Sequence, residues 1–418
     1  MSELPKGWAD TTLGDVIELR YGKSLPEKDR IPGSFGVYGS NGVVGSHTAS
    51  VTGAPAIVVG RKGSIGDVQF SDAACFPIDT TYFVDRCDCV VPRFAMHLLS
   101  HLPLREMNRA SAIPGLNRED AYGLQVALPP LPEQRRIVAK IDSLTGKSKR
   151  ARDHLDHIPR LVEKYKQAVL AAAFRGDLTR EWRLAHGLPE PHSVQLGNVA
   201  EGFNYGSAAK SVKEGRVPVL RMGNIQNGKL DWADLVFTND AVEISKYRLV
   251  PGDVLFNRTN SPALVGKTAL YDSDRVAIYA GYLIKVRCKP ELLPTFLTYC
   301  LNSPMGRAYS WAVKSDGVSQ SNINAKKLAA FSFDLPSPQE QAEIVRRIET
   351  AFIWIDRLAS EATSARRLID RLDQTVLARA FRGELVPQDP TDEPASALLD
   401  RIRAERGAAP KAKRGRKT

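Results

Sequence analysis

The chain has 418 residues, 43% hydrophobic and 25% charged, and its 58 Lys and Arg outweigh 47 Asp and Glu for a net charge of +11. That length suits about three ordinary domains with real cores, and it excludes a chain disordered throughout. There is no apolar run of roughly 20 residues and no basic-then-apolar leader. The five cysteines (Cys75, Cys87, Cys89, Cys288, Cys300) are odd in number and lack C-x2-C spacing, which fits a reducing cytoplasm better than a disulfide scaffold or a structural zinc site.

Residues 1–128 read as a first globular domain. Short apolar runs such as Ala56-Ile57-Val58-Val59, broken by Gly, Pro, Asn and Asp, are strand-and-turn patterns, with a helix expected over 93–102. The loop Gly60-Arg61-Lys62-Gly63-Ser64-Ile65-Gly66 follows that strand. Its glycines allow close backbone approach, and its cations suit phosphate or guanine. A glycine-rich hairpin with solvated charges accounts for it as well. Asn117 and Arg118 lie in a second polar loop, 111–118. Cys87-Asp88-Cys89 and the i, i+4 pair His97 and His101 have metal-binding spacing. Two small residues in a turning strand, and a surface histidine pair, are the simpler accounts.

Residues 129–178 read as one long helix with Pro132 at N1 and Glu133 in the first turn. Gly176, behind Arg175, suits the left-handed position past its end. Apolar residues Ile137, Ile141, Leu144, Ala151, Leu155, Ile158, Val162, Tyr165 and Val169 alternate spacings of four and three, with Ser148 as a polar break. Pro159 is expected to kink or break this helix, because it removes a hydrogen bond and clashes one turn back.

Residues 179–335 read as a second globular domain of the same α+β kind, with a helix expected over 291–302. Asp253-Val254-Leu255-Phe256 is followed by Asn257-Arg258-Thr259-Asn260-Ser261. Arg and Asn are the side chains suited to bidentate base contacts, although an Asx-rich turn has the same composition. Arg221 and Lys267 are counted with them. The loop 315–324, with Gln320 and Asn322, mirrors 111–118. Gly266-Lys267-Thr268 resembles the end of a phosphate-binding loop, but Ser261 stands where the first glycine is required and a strand pattern follows in place of a helix.

Residues 336–385 repeat the first long helix. Residues 335–385 align with 128–178 at a constant offset of 207, and about 19 of 51 positions are identical, which marks an internal repeat. Ser337-Pro338-Gln339-Glu340 has the form of a capping box, and Gly383 follows Arg382 as Gly176 follows Arg175. The seam runs Ile344, Ile348, Ala351, Ile355, Leu358, Ala362, Ala365, Ile369, Leu372 and Val376, which is a heptad pattern for a coiled-coil pair, although two unrelated amphipathic helices packed on separate cores would show it too. About 44 helical residues extend roughly 65 Å. Residues 386–418 form a C-terminal extension. Lys411, Lys413, Arg414, Arg416 and Lys417 near its end hold much of the basic excess, as a solvated, disordered tail or as an Arg-Gly-Arg minor-groove hook.

Signatures of serine hydrolases, zinc proteases, dinucleotide binding and amino-group methylation are absent. The chain resembles the specificity subunits of type I restriction–modification enzymes. Four groups of residues carry the likeness. They are the helix starts Leu131-Pro132-Glu133-Gln134 and Pro338-Gln339-Glu340-Gln341, the helix ends Ala173-Phe174-Arg175-Gly176 and Ala380-Phe381-Arg382-Gly383, the loop Gly60–Gly66, and Pro251-Gly252-Asp253-Val254-Leu255 with Asn257-Arg258.

The resemblance implies two target recognition domains of mixed sheet and short helices, separated by two long antiparallel coiled-coil helices in a pseudo-twofold repeat. It implies double-stranded DNA, two methyltransferase subunits and motor-nuclease subunits as partners, a cytoplasmic location, and no membrane. Catalysis is expected in those partners, with S-adenosylmethionine, ATP and Mg belonging to them and no cofactor or metal in this chain. The expected DNA contacts are Arg61, Lys62, Ser64, Asn117, Arg118, Arg221, Asn257, Arg258, Asn260, Lys267, Gln320 and Asn322. The expected inter-helix seam is Ile137, Ile141, Leu155, Val162, Ile344, Ile348, Ile355 and Ile369. A self-contained methyltransferase or nuclease, and a coiled-coil scaffold independent of nucleic acid, are the competing readings.

Overall fold

The β-rich runs and the two long helical repeats fold as an α+β chain in the computed structural model, which describes residues 4–107 and 115–408. Two compact units result: Met1–Leu155 with Ser364–Thr418, and Asp156–Thr363. Each unit holds one globular domain and a segment of both long helices. Residues 111–114 and the basic residues of the tail lie outside the described residues.

In the first unit a four-stranded antiparallel sheet has the order Arg20–Tyr21, Thr81–Val84, Ala56–Gly60, Val68–Ser71. Ala56–Gly60 is buried along its whole length, which explains its continuous rather than alternating apolar pattern. A second sheet sets Phe35–Gly39 between Gly42–His47, antiparallel, and Phe76–Pro77, parallel. Ala9–Thr12 pairs with Gln125–Leu128, so the start of the domain is tied to the strand that leads into the long helix.

The second unit repeats this plan. Its main sheet runs Ala200–Tyr205, Leu283–Cys288, Val254–Asn257, Thr268–Leu270. Val217–Leu220 lies between Val236–Thr238 and Ile278–Tyr279, and His192–Gln195 pairs with Ser332–Leu335. This unit also holds a hairpin, Ser315–Asp316 with Ser321–Asn322, which extends onto Thr259–Asn260. The helix expected over 291–302 is Pro294–Asn302, and a further helix, Pro304–Val313, follows it. Ser303 makes that second start by accepting a bond from the Gly306 amide, with Pro304 at N1.

The first long helix runs Leu131–Asp156, stops at His157, and resumes as Ile158–Phe174. The break falls where Pro159 cannot donate to the helix ladder. The second is continuous over Pro338–Phe381. Gly176 and Gly383 carry φ of +80° and +74° past the two ends, a conformation that glycine adopts without steric cost. The capping box at Ser337 is only half formed. Its hydroxyl accepts from the Glu340 amide, but the Glu340 carboxylate turns away to Thr179 Oγ1 at 2.7 Å and Arg183 Nη1 at 3.0 Å.

Within each unit the helix segments pair antiparallel. In the first, Arg152 binds Asp370 at 3.0 Å and also Asp373, while Ile137 and Ile141 share a core with Val376 and Ala380. In the second, Lys166 Nζ lies 2.5 Å from Asp356, while Leu170 and Ala173 share a core with Ile344 and Ile348. Ile137, Ile141, Ile344 and Ile348 are fully buried because the globular domain closes over the pair, and each contributes about 1.5–3 kcal/mol. Leu155, Val162, Ile355 and Ile369 are half-buried.

Parts of the expected seam are left uncovered. Leu358, Leu372 and Tyr165 are 60%, 52% and 61% exposed. Ion pairs from Arg152 and Lys166 bridge the segments where an apolar seam was expected. The C-terminal helix Ala395–Ala408 returns to the first unit: the Ala395 amide bonds Gly7 O at 2.9 Å, and Leu399 and Ile402 enter its core. Among the described residues no helix is long and apolar enough to cross a membrane.

Candidate nucleic-acid interface

Arg61 is the first residue past the buried strand Ala56–Gly60. Its backbone amide donates to Thr80 O at 2.9 Å, and its carbonyl accepts from Leu116 N at 2.9 Å. With the main chain fixed on both sides, the guanidinium donates from Nη2 to Asp79 O at 2.9 Å and lies 5.3 Å over the Tyr21 ring. Tyr21 remains 51% exposed. Arg118 covers the same ring at 5.2 Å and is paired with Glu119. Lys62 is exposed and Ser64 half-exposed in the glycine-rich loop. Asn117 has a structural job, since its side chain caps the helix Arg118–Tyr122 by accepting from the Glu119 amide at 2.9 Å.

The second unit builds the same arrangement from different neighbours. Arg258 follows the strand Val254–Asn257; its amide donates to Tyr282 O at 3.0 Å and its carbonyl accepts from Ile323 N at 2.9 Å. Nη1 donates to Gly281 O at 3.2 Å, and the guanidinium lies 4.8 Å over the Tyr205 ring. Tyr205 is 43% exposed. Sheet register makes the match residue by residue: Gly60 opposes Thr81, and Asn257 opposes Leu283. Asp79 and Gly281 each stand two residues before those partners. Asn322, which accepts from Arg258 Nη2 at 3.1 Å and donates to Thr259 Oγ1 at 2.8 Å, is particular to this unit.

Four expected contacts find other surroundings. Asn257 is completely buried, because it occupies an inward position of a fully buried strand, and it cannot reach a ligand outside. Arg221 is neutralised by Asp234 at 3.0 Å. Asn260 turns its Oδ1 back to the Ser261 amide at 2.8 Å. Lys267 lines a cleft of about 420 Å³ beside Pro159, Glu163 and Lys166 on the broken long helix. Burial, and then the Arg307 charge, hold its ammonium below the usual lysine value. Gln320 is exposed beside Val318 on the hairpin that includes Ser321–Asn322.

Tyr21 and Tyr205 are the residues that the sequence alone did not single out. The available signal was the matched dipeptide Tyr-Gly at 21–22 and 205–206. A Cβ on Gly22 would stand 2.1 Å from Ile78 O, and one on Gly206 2.4 Å from Ala280 O, so each tyrosine is followed by a strand passing directly against a neighbouring backbone. The histidine pair is also corrected. His97 is buried and faces Asp142 at 3.6 Å, while His101 stacks on Phe381 with centroids 4.8 Å apart, so neither forms a surface pair. Among the described residues no group of three or more His, Cys, Asp or Glu is placed to hold a metal.

The model of the type I restriction modification DNA specificity domain matches residues 5–155 and 193–359. The StySPI specificity subunit of Salmonella potsdam is 32% identical over 307 residues, covering 70% of this chain and 66% of that protein. The EcoKI specificity subunit of Escherichia coli K12 is 31% identical over 311 residues, with 70% and 66% covered. The chain thus spans just under two thirds of the length of these relatives. The EcoDI specificity subunit of Escherichia coli is 26% identical over 99% of both chains. Two solved structures share the fold at 20% identity. One is a chain from a study of complex assembly and conformational transition of the type I R-M system, with a TM-score of 0.65 over 92% of this chain and all of that one. The other is the HsdS subunit from Thermoanaerobacter tengcongensis, with a TM-score of 0.54 over 91% and 98%.

Proposed function

Because this chain belongs to the type I restriction–modification DNA specificity family, we propose that it is the DNA-recognition subunit of such a complex. Each globular domain reads one half of a bipartite, asymmetric site in double-stranded DNA. The long helices set the spacing between the halves and dock two methyltransferase subunits, and through them motor-nuclease subunits. Catalysis belongs to those partners, as do S-adenosylmethionine, ATP and Mg. The complex works in the cytoplasm.

One observation carries this reading: the same exposed arginine–tyrosine arrangement occurs in two domains whose surrounding loops differ. Among the described residues neither Arg61 nor Arg258 is in a salt bridge, so each offers an uncompensated cation with fixed geometry. Docking on the helices is supported by large apolar side chains turned to solvent. These are Ile353, Trp354 and Leu358 in the second unit and Leu368 and Leu372 in the first. Exposed apolar side chains grouped in this way mark interaction surfaces.

The test is an exchange of residues 190–330 for the matching domain of another member of the family. Methylation-sensitive sequencing of the host genome is expected to show a gapped motif in which only one half has changed. Change in both halves, or a motif without a gap, would refute the modular reading.

A further inference from the structure

Two domains that read different half-sites cannot discriminate through a group they hold in common. What the half-sites share is the sugar–phosphate backbone, and backbone contacts fix register and orientation without carrying sequence information. The pairs Arg61–Tyr21 and Arg258–Tyr205 are such a shared group. Their main-chain anchors, their carbonyl partners Asp79 and Gly281, and their ring contacts correspond one to one. The elements around them do not correspond. Lys62, Ser64 and the Arg118 side chain over Tyr21 have no counterpart in the second domain. Asn322, bonded to Arg258, stands where the first domain has Gly115.

We propose that the two arginine–tyrosine pairs are matched clamps for backbone phosphates, one per half-site, and that base discrimination resides in the elements particular to each domain. This rests on the DNA-recognition reading above. Each guanidinium is held by a backbone carbonyl on one N–H and by a ring face on one side. It therefore loses little freedom when its remaining donors meet a phosphate oxygen. In both arginines Nε is buried and has no partner among the described residues, so the same donor is left unpaired in both domains.

The experiment uses the chain assembled with its methyltransferase subunits. Arg61→Ala and Arg258→Ala are compared with wild type on a duplex carrying the methylated motif and on one with a scrambled motif, over a range of salt concentrations. Each substitution is expected to weaken binding to both duplexes by a similar factor, on the order of 3–10-fold. Each should also lower the slope of log affinity against log salt by about 1. The methylated motif should stay unchanged.

Arg61→Lys and Arg258→Lys keep the charge, and they are expected to keep the slope while recovering part of the affinity. They also serve if an alanine variant does not assemble. A motif that becomes degenerate at one base pair in any variant would overturn the proposal, because the arginine would then be reading a base. Unchanged affinity and slope in the alanine variants would overturn it too. Failure of the wild-type complex to prefer the motif duplex is a different result, and it would sink the recognition reading itself.

Discussion

The side-chain oxygen of Gln341 accepts a hydrogen bond from the backbone nitrogen of Leu293 at 2.8 Å. Gln341 Nε2 donates to Glu291 O and Pro336 O, both at 2.8 Å, and the residue is fully buried. Gln134 repeats this in the first unit, accepting from Val91 N at 2.8 Å and donating to Cys89 O at 3.2 Å and Pro129 O at 3.0 Å. Leu293 and Val91 are the N-cap residues of the helices Pro294–Asn302 and Pro92–His101. The repeated Glu-Gln dipeptide therefore ties the start of each long helix to the start of a domain helix. Gln341→Ala and Gln134→Ala leave buried backbone groups without partners, and each is expected to cost about 3 kcal/mol. Chemical denaturation of the purified chain measures this, and a wild-type midpoint in either variant would contradict it.

Arg152 reaches two carboxylates, Asp370 and Asp373, from across the helix pair of the first unit. The bridge is partly exposed, so its worth is modest, at about 1 kcal/mol. A double-mutant cycle of Arg152→Ala with Asp373→Ala should return a coupling of that size, shrinking as salt is raised. Strict additivity of the two substitutions would show that the bridge contributes nothing to pairing.

Burial holds the His97 imidazole below its ordinary value of 6.5, and Arg93 pushes in the same direction while Asp142 opposes them. His101 is lowered by burial and then by Arg382. Both are bases with depressed folded pKa values, so the unfolded chain binds more protons than the folded one below about 6.5. Stability from these residues is complete above that pH and declines as the pH falls toward the folded values. His97→Gln should therefore flatten the fall in melting temperature between about pH 7 and pH 5. An unchanged slope would mean that the ring binds protons alike in the folded and unfolded chain.

The long helices, their ends and the break at Pro159 were legible because backbone chemistry writes them directly: a proline at N1, a glycine past the last turn, a proline inside. The α+β character was legible from strand-like runs such as Ala56–Gly60. The seam was less so. Heptad spacing records that Leu358 and Leu372 are apolar, but not whether the covering surface belongs to this chain. Asn257 shows the matching difficulty at the site. A polar residue beside Arg258 has the right chemistry for DNA, but its burial depends on strand register, which one sequence does not display. Tyr21 and Tyr205 were legible as a matched Tyr-Gly pair but not as site residues, because aromatic residues in strands ordinarily signify packing; only folding shows each ring half-exposed beneath a guanidinium.

The C-terminal helix Ala395–Ala408 closes onto the domain at the other end of the chain. Leu399 is 3% exposed and shares a core with Trp8, Leu128 and Ile137, Arg136 binds Asp392 at 2.7 Å, and Gln388 Nε2 donates to Glu133 Oε1 at 3.3 Å. Trp8 Nε1 donates to the other oxygen of the same carboxylate at 3.0 Å. Burial raises the pKa of Glu133, and these two donors, with the Arg136 charge, oppose that rise. Leu399→Ala opens a cavity in this core and is expected to cost about 2–4 kcal/mol. Hydrogen exchange is the informative measurement. Protection should fall in the strands Ala9–Thr12 and Gln125–Leu128 and around Ile137, since those backbone bonds lie behind the same apolar cluster. A wild-type exchange pattern there would mean that the helix covers the core without supporting it.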